Sequence, residues 1–332
     1  MTRLSRLFRA CALAIAALSA ASALRAQELL PFLAQSVCLD DSGAPIAGLL
    51  PFELGCVRSA PARIDAPLPY RRHDWPAREH APRQPQGYQA QDAVIGTLRG
   101  VPAVIHGFDF GGGARRFGVL DQGQGDGGQV IAIEPGVAFI AMTEDGGGGV
   151  QWFLSPDCAT GGRGWNGWLL AEAPITEQWR ERVVRLRIAP RADACPRAFD
   201  QSLTRWRAAR IALPWREAAT GAVGSVPAEI IVSEHFGGAS LARADHLERF
   251  FLARGLGLVR WERWENFSIS RVTNRVEMAE TIERQGRCPA MEFSTPPAEG
   301  WRMIDCRTWT NMVRATTAAP LRALDWPPQA LR

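Results

Sequence analysis

The chain of 332 residues contains no lysine; all 38 of its basic residues are arginine. That excludes a phosphate loop closing on Gly-Lys-Ser or Gly-Lys-Thr. No Gly-x-Gly-x-x-Gly run opens a helix either, because Gly123-x-Gly125 sits between strand-like segments, so a nucleotide fold is not expected. We read the missing lysine as compositional bias rather than chemistry. The sequence also lacks a Gly-x-Ser-x-Gly elbow, which removes one large class of serine hydrolases. It lacks Cys-x-x-Cys and His-x-x-x-His spacings, which argues against a zinc cluster. Tyrosine is scarce, two residues against 12 tryptophans. Tryptophan fills cores but also stacks on sugar faces, so the ratio alone decides nothing.

Long hydrophobic runs are missing as well. The one near the N-terminus spans Ala10 to about Ala21, too short for a comfortable membrane span. Arg3, Arg6 and Arg9 precede it, and small residues follow at Ala21-Ser22-Ala23 and Leu24-Arg25-Ala26. This is the layout of a secretory signal peptide over residues 1–26. No Leu-Ala-Gly run precedes Cys11, so no lipid anchor is expected. The predicted location is periplasmic or extracellular, with no membrane span in the mature chain. Cleavage after Ala26 would leave 34 arginines against 34 acids. A neutral chain without a basic stripe does not suit nucleic acid.

Six cysteines follow the leader: Cys38, Cys56, Cys158, Cys195, Cys288 and Cys306. An even set in an exported chain reads as disulfides. Six cysteines allow about 15 pairings. The simplest closes short loops: Cys38–Cys56, Cys158–Cys195 and Cys288–Cys306. Such a set leaves no thiol for nucleophilic work.

Residues 27–90 hold nine prolines and little periodicity, and are predicted to be an irregular N-terminal segment. Residues 91–315 are expected to form the main β-rich domain, and residues 316–332 a peripheral tail. From residue 92 to about 190, short β-branched and aromatic runs alternate with glycine turns, at 93–98, 101–110, 117–120, 129–133, 137–142 and 150–154. Alternation over Val184, Leu186 and Ile188 adds a half-buried strand. The expected fold is mostly β, a two-sheet sandwich or jelly roll with a few helices, stabilised by disulfides. Residues 272–284 read as a helix with Val272, Val276 and Ala279 on one face. Phe199, Leu203, Trp206 and Arg210 fit a second helical face, with Asp200 as its cap.

The densest charged segment is Leu247–Trp264. A loop at Arg254–Gly257 makes it a hairpin pairing Ala253 with Leu258, Leu252 with Val259, Phe251 with Arg260, Phe250 with Trp261, Arg249 with Glu262, Glu248 with Arg263 and Leu247 with Trp264. Both acids then face arginines and aromatic faces aromatic, worth about 0.2–1 kcal/mol per pair. An arginine partner keeps Glu248 and Glu262 ionised, which suits structure better than acid catalysis.

The remaining candidates for acid–base chemistry are Glu234, His235, Asp245 and His246, which follow or flank Ser233. Their spacing matches no metal motif. A second group collects in the glycine-rich zone: Asp109, Asp121, Asp126, Glu144 and Asp145, followed by Trp152, Trp165 and Trp168. These are the candidate binding residues. Carboxylates among glycines offer oxygen ligands to calcium, although Asp121–Gly127 departs from an EF-hand loop and lacks its closing glutamate. No other cofactor is implied. Three functions fit: glycan binding through tryptophans and turn carboxylates, polysaccharide hydrolysis or lysis by Glu234, Asp245 or a turn acid, and a structural envelope role without a small ligand. Asn266-Phe-Ser268 also forms a glycosylation sequon.

Overall fold

The computed structural model describes residues 28–64, 66–76, 90–98, 101–109, 127–134, 136–145, 149–156, 163–165, 168–188, 197–269, 275–286 and 288–316. The chain is mostly β. A short helix, α1, covers residues 28–33. It is followed by β1 (Ser36–Cys38), β2 (Ser59–Pro61) and β3 (Tyr70–His73). Then come β4 (Ala90–Leu98), β5 (Val101–Asp109), β6 (Gly127–Glu134), β7 (Val137–Asp145), β8 (Gly149–Trp152), β9 (Leu154–Pro156), β10 (Arg163–Trp165) and β11 (Trp168–Glu172). The last third holds β12 (Arg180–Ile188), β13 (Arg197–Glu217), β14 (Val223–Phe236), β15 (His246–Ala253), β16 (Gly257–Asn266), α2 (Arg275–Gln285), β17 (Trp301–Thr308) and β18 (Asn311–Arg314).

Fourteen of these strands join one sheet in the order β11-β7-β6-β5-β4-β3-β18-β13-β14-β15-β16-β17, with β12 along β13 and β8 along β7. Two antiparallel meanders, β4–β7 and β13–β17, make its halves. The short parallel contact of Arg216–Glu217 with Asn311–Met312 links them. The sheet folds over itself, because its main core draws Ala93, Val104, Ile131, Ile140 and Leu169 from one half and Trp206, Ile231, Phe250, Leu252 and Leu258 from the other. The sandwich expected from the sequence is thus two halves of one sheet. A second core lies between Val37, Ala62 and Leu68 of the N-terminal segment and Val94, Ile105, Val130, Phe139 and Met142. A third joins Leu50 and Tyr70 to Ile211, Leu213, Ile230, Val232, Phe251 and Val259. The proline-rich segment therefore covers both outer faces and supplies β3 to the sheet itself.

The stretch at 196–212, ambiguous in sequence because Phe199, Leu203, Trp206 and Arg210 also fit a helical face, is β13 from Arg197, and Asp200 pairs with Leu186 instead of capping a helix. Ser202, Thr204 and Trp206 point inward and are buried, while Leu203, Arg205 and Arg207 alternate outward. Pairing along both edges, with β12 and β14, satisfies the backbone and outweighs the helical spacing. The helix predicted at 272–284 is α2, where Ala279 is buried and Val276 exposed. The segment 117–120 and Val272 lie outside the described residues.

The hairpin of β15 and β16 keeps the expected register at Leu247–Trp264, Glu248–Arg263, Arg249–Glu262, Phe250–Trp261 and Phe251–Arg260. Beyond Phe251 a bulge moves Leu252 onto Leu258 and Ala253 onto Gly257. Docking of the hairpin tip accounts for the shift. Gly255 N–H donates to Pro31 O at 2.7 Å, and Ser36 N–H donates to Gly255 O at 2.8 Å. Gly257 has φ +72°, and a Cβ there would meet Leu33 O at 2.7 Å and the Cβ of Ala93 at 2.8 Å. Gly257→Ala is therefore expected to cost about 1–3 kcal/mol for the left-handed backbone, plus the displacement of α1. Gly43, with φ +86° and open space around its Cβ, is the control. Urea midpoints should fall further for Gly257→Ala than for Gly43→Ala; equal losses would mean the tip is not wedged.

Candidate functional site

Strand alternation decides where the predicted catalytic residues go. Ser233 and His235 point into the core between the halves, and Glu234 points to the opposite face of β14. There it stands in a row that crosses five strands: Arg205, Glu234, Arg249, Glu262 and Cys306. Arg205 pairs with Glu234, and Arg249 donates from Nε to Glu234 Oε1 at 2.7 Å and from Nη1 to Glu262 Oε2 at 3.0 Å. Arg260 Nε donates to Glu262 Oε1 at 2.6 Å and Trp264 Nε1 to Oε2 at 2.8 Å. Ser294 Oγ also donates to Glu262. Glu234, Arg249, Arg260 and Glu262 are all buried.

A loop over residues 288–296 caps this row. Thr295 O accepts from Arg249 at 2.9 Å, Pro289 O accepts from Arg260 at 2.6 Å, and Ser294 Oγ accepts from Arg260 at 2.7 Å. Burial pushes the Glu262 carboxyl up, but Arg260 and Arg249, with Ser294 and Trp264, pull harder and hold it below the usual carboxylate range. Glu262 at its centre is held ionised and saturated with hydrogen bonds, while Arg205 at the edge of the row stays partly exposed. A carboxylate held this way suits structure better than acid catalysis.

Two of the expected disulfides are present, Cys38–Cys56 and Cys288–Cys306. Cys158 and Cys195 lie outside the described residues. Cys306 ends the charged row, so its bond to Cys288 ties the capping loop to the strand beside Glu262. Replacing Cys288 and Cys306 by serine is expected to cost about 2–5 kcal/mol. Hydrogen exchange should quicken first at residues 288–296. Unchanged exchange there would show that the arginine contacts alone hold the loop.

The inward side is equally occupied. Ser233 Oγ donates to Leu170 O at 2.6 Å, so the 2.9 Å contact to His235 is a hydrogen bond donated by its Nε2. His235 packs edge-on to Trp168, centroids 4.7 Å apart, and 5.0 Å from Phe250. Burial drives its pKa down to about 3, so the ring is neutral near pH 7. Asp245 and His246 pair with each other at 2.6 Å, at the surface end of β15. Glu234, His235 and the Asp245–His246 pair thus occupy three separate environments. Glu248 accepts from Trp261 Nε1 at 3.1 Å, while its cross-strand neighbour Arg263 reaches Glu265 at 3.7 Å.

Among the binding candidates, Trp152 is buried in the second core and Trp168 is half-buried in the first. Asp109, Glu144 and Asp145 fall at one end of the first half-sheet, since Gly107 pairs with Gly128 and Gly128 with Glu144. Trp165 pairs with Leu154 on the separate β9–β10 ribbon. The side chains of these four residues, and Asp121 and Asp126 altogether, lie outside the described residues. Among the described residues no group of three or more histidine, cysteine or acidic side chains is arranged around a metal position. No described helix is long and apolar enough to cross a membrane. Asn266 of the sequon is buried, with Nδ2 donating to Ala244 O at 3.3 Å and Oδ1 accepting from Ser268 N–H at 3.0 Å.

Sequence reasoning passed over Trp179, which is 38% exposed and the only exposed tryptophan among the described residues. The Arg205 guanidinium lies 4.7 Å from its ring centroid and that of Arg207 5.6 Å. Nothing in the local sequence signals this, because the arginines arrive from β13. Comparison with protein-family models, with curated proteins and with solved structures finds no match to this chain.

Proposed function

We propose that the protein is exported under the direction of residues 1–26 and serves as a structural element of the cell envelope, without carboxylate-based glycan cleavage. The observation that carries this reading is the fate of Glu234, the best catalytic candidate. It is 2% exposed and clamped between two arginines, with its histidine neighbour on the other face of the strand. Burial of Trp152 and of four further tryptophans (Trp206, Trp264, Trp301 and Trp309) gives the same direction, because a groove for sugars needs exposed rings. The disulfides Cys38–Cys56 and Cys288–Cys306 suit an oxidising compartment. The test is reducing-end release by the exported, oxidised protein over a panel of polysaccharides. None is expected; release from any polymer would return the hydrolase or lyase reading and direct mutation to Asp245 and the turn acids.

A second reading, glycan binding, now rests on Trp179 and its arginines. Affinity electrophoresis through the same polysaccharides measures it. Retardation that Trp179→Ala abolishes would make this a binding protein, whereas unretarded migration supports the structural role.

A further inference from the structure

β12 is an edge strand. Its residues Arg180–Ile188 pair with β13 along one side, and among the described residues no strand pairs along the other. Such an edge presents a row of backbone N–H and C=O groups, a template for a further strand. The inward side of β12 is only half covered: Leu186 is buried in the main core, whereas Val184 and Ile188 pack against its rim. On the outward side Glu181, Val183 and Arg185 are exposed, Val183 at 48%. Their neighbours on β13 are Arg205, Leu203 and Gln201, and Arg205 is already paired with Glu234.

Charge on an edge strand ordinarily keeps other chains away. With four arginines and one acid, β12 repels a copy of itself in most registers. A second β12 lying antiparallel about a two-fold axis at Val183 avoids this. It sets Val183 against its copy, Arg182 against Val184, Glu181 against Arg185 and Arg180 against Leu186. The pairing of β12 with β13 is regular from Arg180 to Leu186, so alternation holds over every one of these pairs. No arginine faces an arginine, and the one acid of each strand meets a cation of the other. A slip of one residue sets Arg180 or Arg182 against Arg185. A slip of two sets Arg182 against its copy, or leaves Arg185 opposite Val183 without an acid. Opposite charges directly across a sheet stabilise it and like charges destabilise it.

We infer that the protein forms a two-fold dimer by joining β12 to the β12 of a second copy, with Glu181 of each chain against Arg185 of the other. The contact is isologous, so one surface supplies both sides. It satisfies the open backbone groups of both strands, covers the exposed Val183 and completes the cover over Val184. The sheets of the two copies become continuous through β13, β12, β12 and β13. The dimer depends on neither reading of the function.

Sedimentation equilibrium of the exported, oxidised protein tests this. The parent should approach twice the mass of one chain as its concentration rises. Glu181→Arg should return the mass of one chain. Glu181→Arg combined with Arg185→Glu should recover the dimer, because the pair is then restored with its signs exchanged. Val183→Lys leaves both charged residues in place and sets like charges on the axis, so it should also give the monomer. Far-UV circular dichroism identifies the variants that fold. A monomeric parent, a Glu181→Arg variant that dimerises as the parent does, or a folded double variant that stays monomeric overturns the inference. If Glu181→Arg fails to fold, Val183→Lys decides, and a folded Val183→Lys dimer overturns it equally.

Discussion

Glu262→Ala should be among the most damaging single substitutions in the protein, with an expected loss of about 3–5 kcal/mol. The carboxylate is 0% exposed and answers both Arg249 and Arg260. Removing it leaves two buried guanidinium groups facing each other, with Ser294 and Trp264 deprived of their acceptor. Glu262→Gln keeps the shape and one acceptor but loses the charge, and should fall between parent and alanine. Denaturant midpoints order the three proteins. An alanine variant as stable as the parent would mean that water reaches the row and that the capping loop does not seal it. The same reasoning revises an expectation for Glu234. Read from the sequence as a free catalytic acid, it would tolerate Glu234→Gln with little change in stability. Buried between Arg205 and Arg249, it should instead lose a substantial part of what Glu262→Gln loses.

Acidification should weaken the fold well before the carboxylates titrate. His106 and His235 are buried and neutral, with pKa values pushed by burial to about 4 and about 3 from an ordinary 6.5. In the unfolded chain they take protons near pH 6.5, while the folded chain takes them only below about pH 4. Between those limits the unfolded state binds more protons, so stability falls as pH falls. At about pH 5 the expected loss is about 2 kcal/mol for each histidine relative to neutrality. Glu262 acts in a lower window. Its folded pKa lies below the ordinary 4.5, so its contribution is intact above that value and is lost beneath it. Thermal midpoints of the parent at about pH 7 and about pH 5 should therefore separate clearly. The double variant His106→Gln, His235→Gln should be less stable at neutrality yet show a shallower pH profile. Parallel profiles for the two proteins would mean the histidines are hydrated in the fold.

The hairpin was legible because its charges and rings favour one register: a slip by one residue puts Phe250 against Glu262 and breaks the Arg249–Glu262 ion pair, although Glu248, opposite Arg263 in that register, bonds Trp261 while Arg263 reaches Glu265. Cysteine spacing likewise indicated Cys38–Cys56 and Cys288–Cys306. β13 was not legible, since Phe199, Leu203, Trp206 and Arg210 also satisfy a helical period, and only the partners on its two edges favour the strand. The candidate site fared similarly. Ser233-Glu234-His235 looks like one cluster in sequence, but a strand sends neighbours to opposite faces, and one face met arginines while the other met Trp168 and Phe250.

By itself, then, the sequence determined the β class, the glycine-punctuated meander, the pairing of Arg249 with Glu262 and two disulfides. Each of these follows from local spacing, alternation or short-range complementarity. The tertiary structure alone decided that the halves of one sheet enclose a common core, that the hairpin tip bulges against α1, and that Arg205, Glu234, Arg249, Glu262 and Arg260 form one network, buried at all but Arg205. The docking of the tip depends on residues far apart in the chain, as Gly255 meets Pro31 and Arg72 meets Leu258, and burial converts such meetings from weak surface contacts into interactions that govern stability.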